Sequence, residues 1–257
     1  MFSLIEKTAI VTGGGSGIGR AIAVLFAKQG AEVYILDFDE TKATNVANEI
    51  KSHKALAHAV KCDVSNQEDV KNIIQAITNK NKSIDILVNN AGIAHVGNVE
   101  STTEDDFNRL FNVNVKGVYN LLHAVIPVMK SKGGVILNMA SVASSVGLAD
   151  RFAYSMTKGA VVAMTMTTAK DYINYKIRCN CVSPGRVHTP FVDGFIAKNY
   201  PGKEKEMFEK LSKTQPIGRM AQPDEIAYLV LYLCSDEASF VTGCDYPIDG
   251  GSIKLNT

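Results

Sequence analysis

The segment Thr8–Gly19 reads TAIVTGGGSGIG, a short β-branched run followed by a cluster of glycines. The run Thr8–Thr12 is typical of a buried strand, and Gly17–Gln29 has the apolar spacing of a helix. Glycines at such a turn let the backbone bend sharply and approach a pyrophosphate, and the start of the helix presents free N–H groups. A glycine cluster alone is equally compatible with an ordinary tight turn, so its surroundings decide the interpretation.

Short apolar runs alternate with stretches of helical spacing along the rest of the chain, a pattern typical of a parallel sheet covered by helices on both faces. The predicted strands are Thr8–Thr12, Glu32–Leu36, Ala55–Lys61, Ile84–Val88, Gly134–Asn138, Ile177–Val182 and Asp245–Ile248. The predicted helices are Gly17–Gln29, Glu40–Lys51, Gln67–Asn79, Glu104–Met129 (long enough to be two helices), Phe152–Tyr172 and Pro223–Cys234. We therefore predict an α/β fold: a Rossmann-type doubly wound parallel sheet of about seven strands, in a single domain that spans residues 1–257.

The segment 186–216 lacks both a strand-like run and a strong amphipathic period, and Gly194, Pro201 and Gly202 interrupt it. Connections of this length without regular structure are uncommon unless they are functional. Loops that cover a small-molecule site are a frequent case. We predict a substrate lid here.

The amino-acid composition narrows the class of protein. Lys and Arg number 27 against 26 Asp and Glu, so a net charge of +1 offers no cationic field to attract nucleic acid. The five cysteines show no metal-ligand spacing, which predicts reduced thiols and no metal site. No signal segment or membrane-spanning apolar run is visible, so we expect a cytoplasmic protein that binds neither membranes nor nucleic acids.

Asp37, at the end of the second predicted strand, strengthens the interpretation of the glycine cluster. A carboxylate at this position accepts hydrogen bonds from the ribose hydroxyls of NAD and repels the extra phosphate of NADP. Asp37 could instead cap the following helix, although Asp39 is equally available for that role. Arg20 is the one nearby cation that would favour NADP. The sequence predicts NAD as the cofactor.

Two further turns follow predicted strands at the same edge of the sheet. Asp63 and Val64 come after the third strand, and Asn90, Ala91 and Gly92 come after the fourth. Ligands of open α/β sheets lie across the carboxyl ends of the strands. We therefore predict that Asp63 binds the adenine amino group and that the small Ala91-Gly92 turn admits the ribose; each could also be an ordinary turn residue.

Tyr154 and Lys158 are four residues apart in a predicted helix, which places the phenol and the ammonium on one face. A phenol has a pKa of about 10 and needs electrostatic help to act as a base at neutral pH. Lys158 and an oxidised nicotinamide would each favour the phenolate. Tyr154 would then take the proton of an alcohol during oxidation and return it during reduction.

Two polar residues complete this predicted site. Ser141 follows the fifth predicted strand, where its hydroxyl could hold a carbonyl oxygen beside Tyr154, although it could also be a simple loop serine. Asn114 lies in the middle of a helical stretch, where asparagine is unfavourable. Its amide or a freed backbone carbonyl could hold a water that connects Lys158 to solvent; alternatively it only bends the helix.

Together these motifs resemble the short-chain dehydrogenase/reductase family over nearly the whole chain. The matching elements are Thr12–Gly19, Asp63, Asn89–Gly92, Asn114, Ser141, Tyr154–Lys158, Pro184-Gly185 and Asp249–Gly251. The resemblance implies catalysis by Asn114, Ser141, Tyr154 and Lys158, and a homotetramer or homodimer. The cofactor contacts that we expect are Gly13, Ser16, Gly17, Ile18, Gly19, Asp37, Asp63, Val64, Asn90, Ala91, Gly92, Tyr154, Lys158, Val187 and Thr189.

Four basic residues near the predicted lid and the catalytic helix suggest the substrate: Arg151, Arg186, His95 and His188. Arginine suits a bidentate grip on a carboxylate. The same residues could equally be solvated surface groups. The region around Arg151 is similar to type 2 3-hydroxybutyrate dehydrogenases, and the lid is similar to sugar-acid dehydrogenases of deoxyhexose catabolism. These similarities favour a small acid, such as a 2-keto-3-deoxy sugar acid or a hydroxy acid, and a role in carbohydrate metabolism.

Other functions remain open at this point. A 3-oxoacyl thioester reductase that uses NADPH shares the fold and the catalytic residues, although Asp37 argues against NADPH. A neutral sugar or alcohol dehydrogenase would need no arginine grip. A regulator that only senses a dinucleotide would not require both Tyr154 and Lys158.

Overall fold

The computed structural model describes residues 1–81 and 83–255, apart from the side chains of residues 198 and 199. The strands in this part of the chain are β1 (Thr8–Thr12), β2 (Glu32–Asp37), β3 (Ala57–Lys61), β4 (Ile86–Asn89), β5 (Gly134–Met139), β6 (Ile177–Pro184) and β7 (Asp245–Ile248). They form one sheet in the order β3-β2-β1-β4-β5-β6-β7, and every neighbouring pair is parallel. The order reverses direction between β1 and β4, which is where ligands of open α/β sheets bind.

The helices connect these strands. They are α1 (Gly17–Lys28), α2 (Glu40–Ser52), α3 (Gln67–Asn81), α4 (Glu104–Phe111), α5 (Gly117–Met129), α6 (Phe152–Tyr172), α7 (Pro190–Asn199), α8 (Glu204–Lys213) and α9 (Pro223–Cys234). A single π-helical turn, Asn112–Lys116, joins α4 to α5.

Two hydrophobic clusters cover the two faces of the sheet. One cluster packs α1, α2 and α9 against the strands through side chains such as Phe26 and Ile50. The other packs α3, α5 and α6 through side chains such as Leu121 and Val161. The central strands β1 and β4 are fully buried, as their continuous apolar runs predict, whereas the edge strands β3 and β7 are partly exposed. The doubly wound, single-domain α/β fold is therefore confirmed.

Most predicted elements end within two residues of the observed ones, and Phe152–Tyr172 and Pro223–Cys234 coincide with α6 and α9. The predicted stretch Glu104–Met129 is interrupted by the π-turn. The prediction that segment 186–216 lacks regular structure is wrong, because it contains α7 and α8. No helix in the described residues is long and apolar enough to cross a membrane.

Candidate active site

The glycine-rich turn between β1 and α1 has no room for side chains. A Cβ on Gly19 would overlap the carbonyl oxygen of Gly13. A Cβ on Gly15 would lie 2.7 Å from Cβ of Lys42 and 2.8 Å from Oδ2 of Asp37. Gly13 itself has a φ of +62°, a conformation that L side chains rarely adopt. The turn thus exposes backbone where a phosphate can approach it closely.

Asn90 and Thr12 hold this turn against the end of β4. Nδ2 of Asn90 donates to the carbonyl oxygens of Thr12 and Gly13, at 3.0 and 3.2 Å. Oγ1 of Thr12 accepts from the backbone N–H groups of Asn90 and Ala91, each at 3.0 Å. Asn90 is therefore placed beside the predicted cofactor site, where its amide braces the turn. Thr12 is a part of this brace that sequence analysis missed, and its sequence signal is a hydroxyl directly before the glycines.

Asp37 lies against the glycine turn and does not cap α2. Its Oδ2 accepts from the N–H of Gly15 at 2.9 Å, and its Oδ1 accepts from the N–H of Asp39 at 3.0 Å. Asp39 is the N-cap of α2 and accepts from the N–H of Lys42 at 3.2 Å. The alternative role of Asp37 as a helix cap is thereby excluded.

Arg20 is the cation that would favour NADP as the cofactor, and it forms a salt bridge with Glu49. Its guanidinium donates to both carboxylate oxygens of Glu49, at 3.0 and 2.6 Å. Lys42 also lies beside Asp37, and its Nζ is 3.3 Å from Oδ2 of Asp39. Arg20 and Lys42 therefore both have carboxylate partners.

Asp63 and Val64 lie at the carboxyl end of β3, as predicted. One carboxylate oxygen of Asp63, Oδ1, accepts from the N–H and the hydroxyl of Ser65, at 2.9 and 2.7 Å. The side chain of Val64 is buried against Gly117. A Cβ added to Gly117 would lie 2.8 Å from Cγ2 of Val64. The carbonyl of Val64 accepts from Nδ2 of Asn120 at 2.8 Å. Within the described residues, the second oxygen of Asp63 and the backbone N–H of Val64 have no hydrogen-bond partner, so both can bind a ligand.

These features fit a dinucleotide. The bare backbone of Gly13–Gly19, with Ser16 at the start of α1, suits a pyrophosphate. Asp37 lies at the end of β2, where an acidic residue binds the ribose hydroxyls of a dinucleotide in such folds. Ile18, Val187 and Thr189 line the adjoining cavity, and Gly17 lies close enough to Thr189 that a Cβ would come within 3.3 Å of its methyl group.

Tyr154, Lys158 and Ser141 meet at the bottom of this cavity. Tyr154 and Lys158 lie one turn apart on α6, and Nζ of Lys158 is 5.8 Å from the centre of the Tyr154 ring. Ser141 lies two residues after the end of β5 and lines the same cavity, where its hydroxyl lowers the pKa of the Tyr154 phenol. The structure therefore brings together three of the four predicted catalytic residues.

Lys158 is deeply buried, with 6% of its surface exposed. Its Nζ donates to the carbonyl oxygen of Met139, the last residue of β5, at 2.7 Å. Burial lowers the pKa of Lys158 from 10.5 to about 8, because a desolvated ammonium is disfavoured. The Met139 carbonyl was not predicted, since a backbone acceptor leaves no sequence signal.

Burial raises the pKa of the Tyr154 phenol, and this outweighs the opposing effects of the Ser141 hydroxyl and the positive charge of Arg151. The groups of the chain itself therefore keep Tyr154 protonated at neutral pH. A protonated phenol beside a serine hydroxyl is arranged to donate to a carbonyl oxygen.

Asn114 lies in the π-turn and is fully buried, with its side chain hydrogen-bonded to protein partners. Oδ1 accepts from the N–H of Ile93 at 2.9 Å, and Nδ2 donates to the Ile93 carbonyl and to Oγ1 of Thr157 at 2.9 and 3.1 Å. The side-chain amide of Asn114 thus links the π-turn to α6. Because the amide is already engaged, a freed backbone carbonyl is the remaining group that could hold a water. Gly92 leaves space beside both Asn114 and Lys158, because a Cβ there would be 3.3 Å from Oδ1 of Asn114 and 3.6 Å from Nζ of Lys158.

The cavity above Tyr154 has a volume of about 300 Å³ and extends to the start of the predicted lid. Arg151, at the N-terminus of α6, and Arg186, after β6, both line it. Burial lowers the pKa of Arg186, and the positive charge of Arg151 lowers it further. Neither forms a salt bridge within the described residues.

An outer chamber of about 620 Å³ adjoins this cavity, and both arginines line it as well. His95 also lines the outer chamber, and its Nδ1 lies 3.7 Å from Oδ1 of Asp106. Its other ring nitrogen, Nε2, lies beside Gly97, where an added Cβ would come within 2.7 Å of it. That nitrogen therefore faces the loop. The structure does not bring His188 to either chamber: its Nε2 is 2.9 Å from Asp193 and its ring packs on Phe208.

Known proteins resemble this chain over its full extent. A family model described as enoyl-(acyl carrier protein) reductase matches residues 13–252. Dehydrogenase/reductase SDR family member 6 from Xenopus laevis is 39% identical over 98% of this chain and 99% of its own length. A 3-oxoacyl-[acyl-carrier-protein] reductase from Thermotoga maritima is 35% identical over 96% and 98%.

A solved structure shares the fold closely. L-sorbose reductase from Gluconobacter frateurii, complexed with NADPH and L-sorbose, superposes with a TM-score of 0.94 at 29% identity, over 99% of each chain. Because these similarities extend over almost the whole of each chain, the protein belongs to the short-chain dehydrogenase/reductase family and is an oxidoreductase that uses a nicotinamide cofactor.

Proposed function

We propose that this enzyme interconverts a secondary alcohol and a ketone on a small acidic substrate, with NAD as its cofactor. The observation that carries the proposal is the pair Arg151 and Arg186, which line the cavity beside Tyr154 without a carboxylate partner in the described residues. Two unpaired guanidiniums repel each other, and an anionic ligand between them relieves this repulsion. A 2-keto-3-deoxy sugar acid or a hydroxy acid fits this class.

Each arginine keeps donors for such a ligand. NH1 of Arg151 makes only long hydrogen bonds, to the carbonyls of His95 and Asp150 at 3.3 and 3.4 Å. Arg186 uses Nε to donate to Oγ1 of Thr214 at 2.9 Å. The remaining N–H groups can bind a carboxylate, an interaction for which the planar guanidinium is well shaped.

The catalytic roles follow from the geometry around Tyr154. The nicotinamide cofactor supplies the hydride for reduction and accepts it in oxidation. Tyr154 donates its proton to the carbonyl oxygen, or takes it from the alcohol, while Ser141 holds the same oxygen. Lys158 is fixed beneath the phenol by the Met139 carbonyl, and Asn114 fixes the π-turn against α6.

The substrate proposal is tested with a hydroxy acid and its methyl ester, which differ in the carboxylate charge and in one added methyl group. We expect Arg151→Met to raise KM for the acid by about 10- to 100-fold, the effect of losing a charge-assisted hydrogen bond. KM for the ester should change little. Steady-state rates of NADH formation at 340 nm provide the measurement.

Lys170→Met is the matched control for that experiment, because Lys170 is exposed in the last turn of the same helix. This variant removes one positive charge far from the cavity and should behave like the parent enzyme. Equal use of acid and ester by the parent would contradict the proposal.

The preference for NAD depends on Asp37. Replacing it with asparagine removes the charge but keeps an acceptor for the N–H of Gly15. We expect the ratio of kcat/KM for NAD over NADP to fall by about 10- to 100-fold, since the repulsion of the NADP phosphate disappears. Asp39→Asn is the control, because asparagine also caps helices well. An unchanged ratio in Asp37→Asn would refute this role.

A second candidate is a reductase of 3-oxoacyl thioesters or neutral sugars with NADPH. It is favoured by the similarity to the 3-oxoacyl reductase and the sorbose reductase, and by an outer chamber large enough for an extended chain. Turnover of such ketones with NADPH but not of acids with NAD would support it. Assembly into a homotetramer and a role in carbohydrate metabolism stay predictions.

A further inference from the structure

We propose that the outer chamber is an apolar subsite, and that the acid oxidised by this enzyme carries an apolar substituent that occupies it. The position of the carboxylate rests on the proposed acidic substrate, whereas the apolar substituent rests on the lining of the two chambers. The inference favours hydroxy acids with an alkyl or aromatic tail over sugar acids, whose hydroxyl groups need polar partners.

The inner cavity leaves little space for a substrate. Its volume is about 300 Å³, and Ile18, Asn90, Val187 and Thr189, which line it, are expected contacts of the cofactor. Sites for small molecules usually measure about 300 to 1,000 Å³, so this cavity is at the lower end before the nicotinamide enters it. A substrate of more than a few carbons therefore extends into the outer chamber, which has about 620 Å³.

The boundary between the two chambers combines positive charge with apolar surface. The residues that line both chambers are Ala94, Arg151, Arg186, Phe191 and Val192. The two arginines can bind a carboxylate at this boundary. The three apolar side chains offer no hydrogen bond, so a hydroxyl group placed against them would lose its bonds to water. A ligand that passes this boundary thus needs an anionic group and an apolar part.

Beyond the boundary, the charged residues of the outer chamber pair with one another. Oδ1 of Asp106 accepts from NH2 of Arg109 at 2.9 Å and lies 3.7 Å from Nδ1 of His95. The hydroxyl groups of a sugar acid would have to compete with these pairs. The rest of the wall there is apolar and includes Val96 and Leu211. The chamber therefore suits a hydrocarbon tail better than a polyhydroxylated one.

Phe191 is the residue best placed to recognise the tail. It lies in the first turn of α7 and lines both chambers, yet 60% of its surface is exposed. Apolar surface gains free energy when a ligand removes it from water, and an aromatic ring offers a large area of this kind. An apolar substituent that follows the carboxylate into the outer chamber covers this ring.

The subsite is tested with straight-chain 3-hydroxy acids, whose alkyl tails range from one to seven carbons, and with their methyl esters. We expect kcat/KM with NAD to rise by about 3- to 4-fold for each methylene that enters the outer chamber, the effect of removing a methylene from water. The longest acids should exceed the shortest by about 10- to 100-fold. The esters should show the same dependence on length, because the tail does not depend on the carboxylate.

Variants of Phe191 separate recognition of the tail from a structural role. Phe191→Ala should remove most of the dependence on length and leave the shortest acid within about 2-fold of the parent, whereas Phe191→Leu should keep most of the dependence. A variant that only disturbs α7 would lower the rates for all lengths alike. Phe240→Ala is the matched control, because Phe240 is fully exposed and lines a different cavity at the amino end of the sheet.

The outcomes distinguish the subsite from the proposed acidic substrate. If acids are oxidised but kcat/KM does not rise with the length of the tail, the subsite is refuted and the acidic substrate stands. If the esters show the dependence on length and no acid is turned over, the acidic substrate is refuted and the apolar subsite stands. A sugar acid that is oxidised faster than every alkyl acid would overturn the inference.

Discussion

Replacing Tyr154 with phenylalanine should lower kcat by about 10²- to 10⁴-fold, the range for loss of a positioned general acid. The variant removes only the hydroxyl that meets Ser141 and leaves the ring packed on α6. Affinity for the nicotinamide cofactor should fall much less than kcat, because Tyr154 is one of many expected cofactor contacts and the glycine turn and Asp37 are unchanged. Steady-state kinetics and a fluorescence titration with NADH would measure the two effects separately.

Tyr172→Phe is the control for this variant, since Tyr172 lies at the other end of the same helix. It should retain the activity of the parent. If Tyr154→Phe kept more than about a tenth of the parent kcat, another group would have to move the proton, and the assignment of Tyr154 would be wrong.

Lys158→Met should abolish most activity and yet make the folded chain more stable at pH 7. Desolvation of the buried ammonium moves its pKa from 10.5 to about 8, which corresponds to roughly 3 kcal/mol of destabilisation below pH 8. Loss of the hydrogen bond to the Met139 carbonyl offsets about 1 kcal/mol of the gain. The net effect, about 2 kcal/mol, corresponds to a rise in Tm of roughly 5 °C.

The pH dependence of this stability difference has a definite sign. Between pH 8 and 10.5 the unfolded parent binds a proton at Lys158 that the folded parent has lost, so the parent becomes more stable as the pH rises. The advantage of Lys158→Met should therefore be largest below pH 8 and should disappear near pH 10.5. Thermal unfolding at several pH values measures it, with Lys170→Met as control. A Lys158→Met variant that is less stable at pH 7 would show that the ammonium is well solvated.

Much of the fold follows from sequence because the central strands are buried on both faces. Short runs rich in β-branched residues, such as Thr8–Thr12, favour strands of this kind, and the prediction for α6 agrees to the residue. The helices α7 and α8 were missed for different reasons. Gly194 lies inside α7 and weakens its helical signal in the sequence. In contrast, α8 consists mainly of strong helix formers and buries no side chain, so apolar spacing does not reveal it.

The site was predictable as a set of residues but not as an electrostatic environment. Spacing placed Tyr154 and Lys158 together, and the glycine turn indicated the cofactor. The sequence suggested that Lys158 and an oxidised nicotinamide would favour the phenolate. Burial nevertheless raises the pKa of Tyr154, and the depth of burial follows from tertiary packing that no motif records. The engagement of the Asn114 amide also depends on Ile93 and Thr157, whose approach no motif records.

The most direct test of this account is NADH formation at 340 nm when the purified enzyme is offered NAD or NADP with hydroxy acids, sugar acids, neutral sugars and plain secondary alcohols. We predict that an acid is oxidised fastest and that NAD is preferred. Activity confined to NADP, or to neutral alcohols alone, would contradict the roles given to Asp37 and to the pair Arg151 and Arg186.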